Sequence, residues 1–192
     1  MTRFAILLLA GGRSSRMGRD KGELLWQGAP LLHWQAKRFA PLAEVVISGP
    51  QGIPDDWHDH RGPLAGILAA STARPDVDTW IVIPVDMPAL STATVQRLMD
   101  ASEGSAAALS FADYPLPMSL PMTPATQKRL KAALADPEGP RALRWLHRQL
   151  NGQWLQPAPP ATEMMNANTP EEWAQAEYYS RLSGDTHEQT QQ

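Results

Sequence analysis

Phe4-Ala-Ile-Leu-Leu-Leu-Ala10 runs straight into Gly11-Gly12-Arg13-Ser-Ser-Arg16-Met-Gly18-Arg19-Asp20-Lys21-Gly22. The apolar run is long enough for one buried strand and far short of the roughly 18 residues of a membrane span. A strand that feeds a glycine-rich basic loop is how a parallel sheet offers its carboxyl end to a phosphate-bearing ligand. Gly11 and Gly12 let the backbone approach an anion closely and aim its N–H groups at it. The first 21 residues hold five Lys/Arg and one acid, a balance of +4 in a chain of net charge −3. The rest carries twelve Lys/Arg against nineteen acids, or −7. Charge concentrated in one loop of an acidic protein points to a polyphosphate site, not to the broad basic face that nucleic acid needs. Two other readings of the stretch exist. Arg3 with the apolar run resembles a short secretory signal, but seven residues is the lower limit for one and a dense basic loop follows. A glycine turn with solvated arginines would be structural only.

At 192 residues, with 43% hydrophobic and 19% charged residues, the chain is sized for one domain whose core needs no staples. The absence of cysteine removes disulfides, thiolate catalysis and cysteine-based metal sites together and fits a reducing cytoplasm. The domain is expected over residues 1–182, with a polar, Gln-rich tail over 183–192 expected to be disordered.

Beyond the opening strand, apolar runs alternate with helical patterns. Strands are expected at 44–48 and 80–85, with a further one at 106–111. Helices are expected at 30–39, 62–73, 91–101, from 123, at 141–150 and from 169. Thr169-Pro170-Glu171-Glu172 has a capping residue, a proline at the first helical position and a glutamate three after the cap. This alternation predicts an α/β fold with a doubly wound, mostly parallel sheet, whose ligand lies across the loops after Leu9, Ser48 and Val85.

Pro84-Val85-Asp86-Met87-Pro88 places a lone carboxylate at a strand's carboxyl end. An acid beside a phosphate site is repulsive unless a cation lies between, and Mg²⁺ held by one carboxylate plus substrate phosphates solves that. Alternatively Asp86 caps the turn before Pro88. Met165-Asn166-Ala167-Asn168-Thr169 puts two amides at i, i+2, on one side of an extended segment. Amides suit a heterocycle or a phosphate, although an Asx turn leading into the helix cap is the plainer alternative. His58-Asp59-His60 lacks a third ligand and reads as a solvated loop. The tryptophans have no stacking-platform spacing.

Four of these motifs resemble the GT-A-type nucleotidyltransferases and, among them, the molybdenum cofactor guanylyltransferases. The family's opening stands here as Leu9-Ala10-Gly11-Gly12, Arg16-Met17-Gly18 and Asp20-Lys21. Its Gly-Pro-Leu-Ala-Gly is residues 62–66, its strand-end Asp is Asp86, and its Asn-x-Asn-Thr-Pro-Glu is residues 166–171. The matches keep the family's order and cover residues 9–172. The resemblance implies a Rossmann-like single domain. It implies GTP contacts at Leu9, Ala10, Gly11, Gly12, Lys21, Ser48, Asp55 and Asp86, with Asp56 and Asp59 as alternatives to Asp55. Leu116 stands where relatives carry a His.

The resemblance further implies transfer of GMP from GTP to molybdenum-molybdopterin, giving the guanine dinucleotide cofactor and pyrophosphate. Lys21, Arg16 and Asp86 would be the catalytic residues, and Asp86 the Mg²⁺ ligand. Asn166 and Asn168 would hold the molybdopterin. Cofactor-carrying proteins and target enzymes are further implied partners, with no nucleic acid or membrane, in the cytoplasm. Rival readings are cytidylyl transfer to the same cofactor, a GTP-binding module without turnover, and a sugar-1-phosphate nucleotidyltransferase, which usually needs a larger chain. A Rossmann dehydrogenase is disfavoured, because the loop lacks Gly-x-Gly-x-x-Gly and Ser48-Gly49 replaces the acid expected after the second strand.

Overall fold

The opening run forms strand β1 (Phe4–Leu9), with Ala5 to Leu9 all buried. A strand covered on both faces can be apolar at every position, which is why no alternation shows. The computed structural model describes residues 2–10, 21–54 and 62–182. After a 3-10 turn at Lys21–Glu23 come β2 (Leu25–Trp26), β3 (Ala29–Pro30), α1 (Leu31–Phe39), β4 (Glu44–Ser48), α2 (Pro63–Ala73) and β5 (Thr79–Pro84). They are followed by α3 (Thr92–Ser102), β6 (Leu109–Phe111), β7 (Met118–Pro121), α4 (Pro124–Ala135), α5 (Leu143–Gln149), β8 (Gln153–Leu155) and α6 (Pro170–Leu182).

Six strands make one sheet in the order β4-β1-β5-β7-β6-β8. β1 pairs in parallel with β4 and β5. β7 runs antiparallel to both its neighbours, and β8 is parallel to β6. The pleat divides β1 and β5 between two cores. Ile6, Leu8, Ile81 and Ile83 meet α1, α3 and α6 on one face. Ala5, Leu7, Trp80 and Val82 meet α2, α4 and α5 on the other. Each such aliphatic side chain, fully buried, contributes about 1.5–3 kcal/mol. Helices on both faces of a mostly parallel sheet are the doubly wound arrangement expected. Among the described residues, no helix is long and apolar enough to cross a membrane.

The expected elements recur with ends shifted by at most three residues, and strands 4–9 and 44–48 keep their expected ends. Ser91 Oγ accepts from Thr94 N–H and Thr123 Oγ1 from Thr126 N–H, so both helices start on side-chain caps. Strand 106–111 shrinks to Leu109–Phe111. Four strands lack a clear sequence signal. β7 lies in Pro115-Leu-Pro-Met-Ser-Leu-Pro121, where prolines argue against a central strand, yet all four of its residues are buried. β8 is three residues long. The β2–β3 hairpin turns on Gln27 (φ 49°) and Gly28 (φ 83°), a two-residue turn that usually carries Asn or Asp first.

At the amino end of the parallel strands, the Arg74 guanidinium grips both carboxylate oxygens of Glu44 and also Asp76, which Arg3 meets at 2.7 Å. These bonds hold the Glu44 and Asp76 carboxyls below their ordinary pKa, chiefly through hydrogen bonds from Arg74. The cluster is solvent-exposed and adds little stability.

His147 is 1% exposed. Its Nε2–H donates to the Gln153 carbonyl at 3.2 Å and its ring lies 4.1 Å from that of Trp154, joining α5 to β8. Burial pushes its pKa below the ordinary 6.5, and the nearby Arg144 charge adds to this. In the folded protein His147 therefore resists a proton that the unfolded chain accepts. The stability it protects is complete above about pH 6.5 and is lost as pH falls toward the folded-state pKa, by at most about 1.4 kcal/mol per pH unit for one proton. Melting temperatures measured from pH 8 to pH 5 will fall more steeply for the natural protein than for His147→Leu; parallel curves would refute this.

Candidate active site

The parallel strands end together. Ala10 N–H donates to the Ser48 carbonyl at 3.0 Å, and Val85 N–H donates to the Leu9 carbonyl at 3.1 Å. The exit from β1 is thus held on both sides by the exits from β4 and β5, and the glycine-rich loop departs from between them. At this end α2 approaches so closely that a Cβ on Gly66 would lie 2.2 Å from Ser48 Oγ. Gly66, the last residue of Gly-Pro-Leu-Ala-Gly, lets α2 press onto β4. Ser48 is consequently 4% exposed, its side chain facing a helix.

The turn after β5 carries Asp86, which is half-buried. Backbone bonds shape it, Met87 N–H to the Pro84 carbonyl at 3.4 Å and Leu90 N–H to the Met87 carbonyl at 3.3 Å. From below, α1 supplies two polar side chains. Gln35 Nε2 donates to the Met87 carbonyl at 3.2 Å, and Arg38 Nη1 reaches the Pro88 carbonyl at 3.5 Å. Gln35 is fully buried and Arg38 nearly so, its guanidinium 4.7 Å from the Trp34 ring centre. Neither is among the residues that the sequence motifs single out. A signal does exist, since Gln35 interrupts the apolar stripe Leu31, Gln35, Phe39 at helical spacing.

The Asn segment arrives from far along the chain. Ala167 N–H donates to the Asp86 carbonyl at 2.7 Å. Ala167 is fully buried, while Asn166 is exposed and Asn168 half-buried. That is the alternation of an extended segment with both amides on the side away from the core. The α6 cap is reciprocal: Glu172 N–H donates to Thr169 Oγ1 at 3.2 Å, and Glu172 Oε2 accepts from Thr169 N–H at 3.1 Å and Asn168 N–H at 2.7 Å. The backbone N–H groups of Asn168, Thr169 and Glu172 are therefore taken up within the cap.

The tertiary structure thus brings together Leu9, Ala10, Ser48, Asp86, Asn166 and Asn168. Lys21 begins the 3-10 turn, but its side chain lies outside the described residues. So do Gly11, Gly12, Arg13, Arg16, Arg19, Asp55, Asp56, Asp59, His58, His60 and the tail. Leu116, in the place of a family His, is half-buried and packs against both cores. Among the described residues no three His, Asp or Glu are grouped to hold a metal. A single carboxylate fits a hard cation that takes most of its oxygen ligands from phosphate and water, as Mg²⁺ does.

A model of the MobA-like NTP transferase domain matches residues 6–153. A molybdenum cofactor guanylyltransferase of Xanthomonas euvesicatoria pv. vesicatoria is 38% identical over 175 residues, covering 88% of this chain and 91% of that protein. One of Ectopseudomonas mendocina is 31% identical over 205 residues, covering 96% and 94%. Among solved structures, molybdopterin-guanine dinucleotide biosynthesis protein A of Archaeoglobus fulgidus superposes with a TM-score of 0.66 at 20% identity, covering 95% of this chain and 100% of that one. The 2-C-methyl-D-erythritol 4-phosphate cytidylyltransferase of Thermus thermophilus gives 0.62 at 17%, covering 91% and 98%. At such identities these structures speak for the fold.

The reciprocal cap sets a testable magnitude. Thr169→Ala removes the acceptor for Glu172 N–H and will lower stability by about 1 kcal/mol. Denaturant titration checks this, and an unchanged midpoint would show that the cap is idle.

Proposed function

The chain belongs to the MobA-like NTP transferase family, and from that membership we propose that it transfers GMP from GTP to molybdenum-molybdopterin and releases pyrophosphate. Two of its relatives are named molybdenum cofactor guanylyltransferase, which supports this reading. The observation that carries the reading to this chain is the Ala167 N–H to Asp86 carbonyl bond. It sets two chemically different stations side by side at the strand ends, an acidic turn beside the start of a basic loop and an uncharged pair of amides.

The acceptor's terminal phosphate is anionic near neutral pH, so its oxygen attacks the α-phosphorus of GTP without a general base. The α–β phosphoanhydride bond breaks and pyrophosphate leaves with the electron pair. The protein's task is to hold two anions together and stabilise the leaving charge. The Ala10 N–H, which the sequence reading counts among the phosphate donors, is taken by the Ser48 carbonyl, so the backbone N–H groups of Gly11 and Gly12, with Arg16 and Lys21, are left to hold the triphosphate. Asp86 is the residue to hold Mg²⁺, which, when bound, offsets the charge shared by the carboxylate and the phosphates. Asn166 and Asn168 hold the acceptor, where further cations would overbind the product.

The direct test is pyrophosphate release from GTP, CTP, ATP and UTP in Mg²⁺, each with and without molybdenum-molybdopterin. Release with GTP alone among the four, and only with acceptor, is the expected result. CTP preference would make the enzyme a cytidylyltransferase, and GTP binding without release would make it a binding module.

Asp86→Ala will abolish Mg²⁺-dependent turnover. Retained turnover with an unchanged Mg²⁺ dependence would make Asp86 a turn residue only. The double change Asn166→Ala, Asn168→Ala will leave GTP affinity near that of the natural protein and weaken acceptor binding roughly tenfold or more, as expected for lost hydrogen bonds to a charged group. An equal loss of GTP affinity in a stably folded variant would sink the assignment.

A further inference from the structure

The Asn segment is preceded by a carboxylate that neither motif nor spacing singles out. Glu163 Oε2 accepts from Thr94 Oγ1–H at 2.7 Å and from Ser91 N–H at 3.2 Å. Ser91 and Thr94 form the first turn of α3, which leaves the Asp86 turn after five residues. One residue beyond Glu163 the chain buries Met164, and three further on it buries Ala167 against Asp86. Glu163 therefore ties the approach to the Asn pair to the exit of the Asp86 turn. Glu172 and the α6 cap secure the far side.

The bond at Ser91 is more than a helix cap. Ser91 Oγ already caps α3 by accepting from Thr94 N–H at 3.0 Å. A carboxylate from 72 positions away, taking the Ser91 N–H and the Thr94 hydroxyl in addition, makes contacts that a local cap does not require. Hydrogen bonds to an ionised acceptor are stronger and more directional than neutral ones. What the pair of bonds fixes is the separation between two loops, and no regular element joins these loops directly.

We propose that Glu163 is a positioning residue for transfer: it sets the distance between the Asp86 turn and Asn166 and Asn168, and so between the two reacting phosphates. The inference rests on the reading that these loops hold the nucleotide and the acceptor. Substrate binding at each loop needs only that loop's own groups. Reaction needs their relative placement, where an error of about 1 Å can cost roughly 10²-fold in rate. The loss of Glu163 is therefore felt in kcat more than in either KM.

Three full-length variants test this. Glu163→Ala unhooks the segment. Glu163→Gln keeps an oxygen acceptor for both donors. Ser91→Ala removes the local cap acceptor of α3 while leaving both Glu163 contacts, and so reproduces a helix-end defect without freeing the segment. Glu163→Ala will lower kcat about tenfold, below the full cost of a rigid misplacement because two anchors remain, with KM for GTP nearly unchanged. Glu163→Gln will recover most of the rate, and Ser91→Ala will keep nearly all of it. Amide hydrogen exchange across residues 164–168 will quicken in Glu163→Ala and not in Ser91→Ala, a readout independent of turnover. The proposal is overturned if Glu163→Ala and Ser91→Ala lose rate alike. It is equally overturned if exchange across 164–168 is unchanged in Glu163→Ala. Failure of the functional reading shows separately, as no pyrophosphate release by the natural protein, and amide exchange then decides the positioning claim alone.

Discussion

Everything at the working end of this molecule depends on the double grip on the end of β1. Leu9 accepts from Val85 on one side, and Ala10 donates to Ser48 on the other. A loop that presents backbone N–H groups to a triphosphate is useful only if its origin is fixed, because mobile donors must be ordered at the moment of binding. A central strand buried on both faces supplies that origin. Gly66 extends the same logic to α2, since the absence of a side chain there lets the helix close on Ser48.

Around that origin the protein distributes polar groups by task. Gln35 and Arg38 rise through an apolar helix face to hold the carbonyls of Met87 and Pro88. Glu163 and Glu172 each use a carboxylate to accept two donors from backbone or hydroxyl groups. Burying a polar group costs less when it is bonded; Gln35 is bonded through Nε2, while its Oε1 has no partner among the described residues. Here the bonds are devoted to loop geometry. The Asp86 turn and the Asn segment are thereby shaped by the protein's own bonds, the preorganisation that the proposed transfer would use.

The two ends of the parallel strands make an instructive contrast. The amino end carries Arg3, Arg74, Glu44 and Asp76, mutually paired and exposed. Their charges are paired with one another. The carboxyl end carries Asp86 on the exit from β5, beside the end of β1, and the sequence that follows β1 is basic.

The apolar runs at β1 and β5 and the caps at Ser91, Thr123 and Thr169 were legible in the sequence because each rests on local physics. A strand buried on both faces must be apolar throughout, and a cap needs only its own first turn. Tertiary structure alone decided the remainder. β7 became a central antiparallel strand despite its prolines because burial between β5 and β6 outweighed a poor local preference. β8 was too short to show a period, and Gln27-Gly28 is an uncommon pair for its turn. That Asn166 and Asn168 lie beside Asp86, with Glu163 as their anchor, follows from contacts across about 70 to 80 positions of chain. Spacing along a sequence carries no information about such separations; only the packing of α3 and α6 onto one face of the sheet brings these residues together.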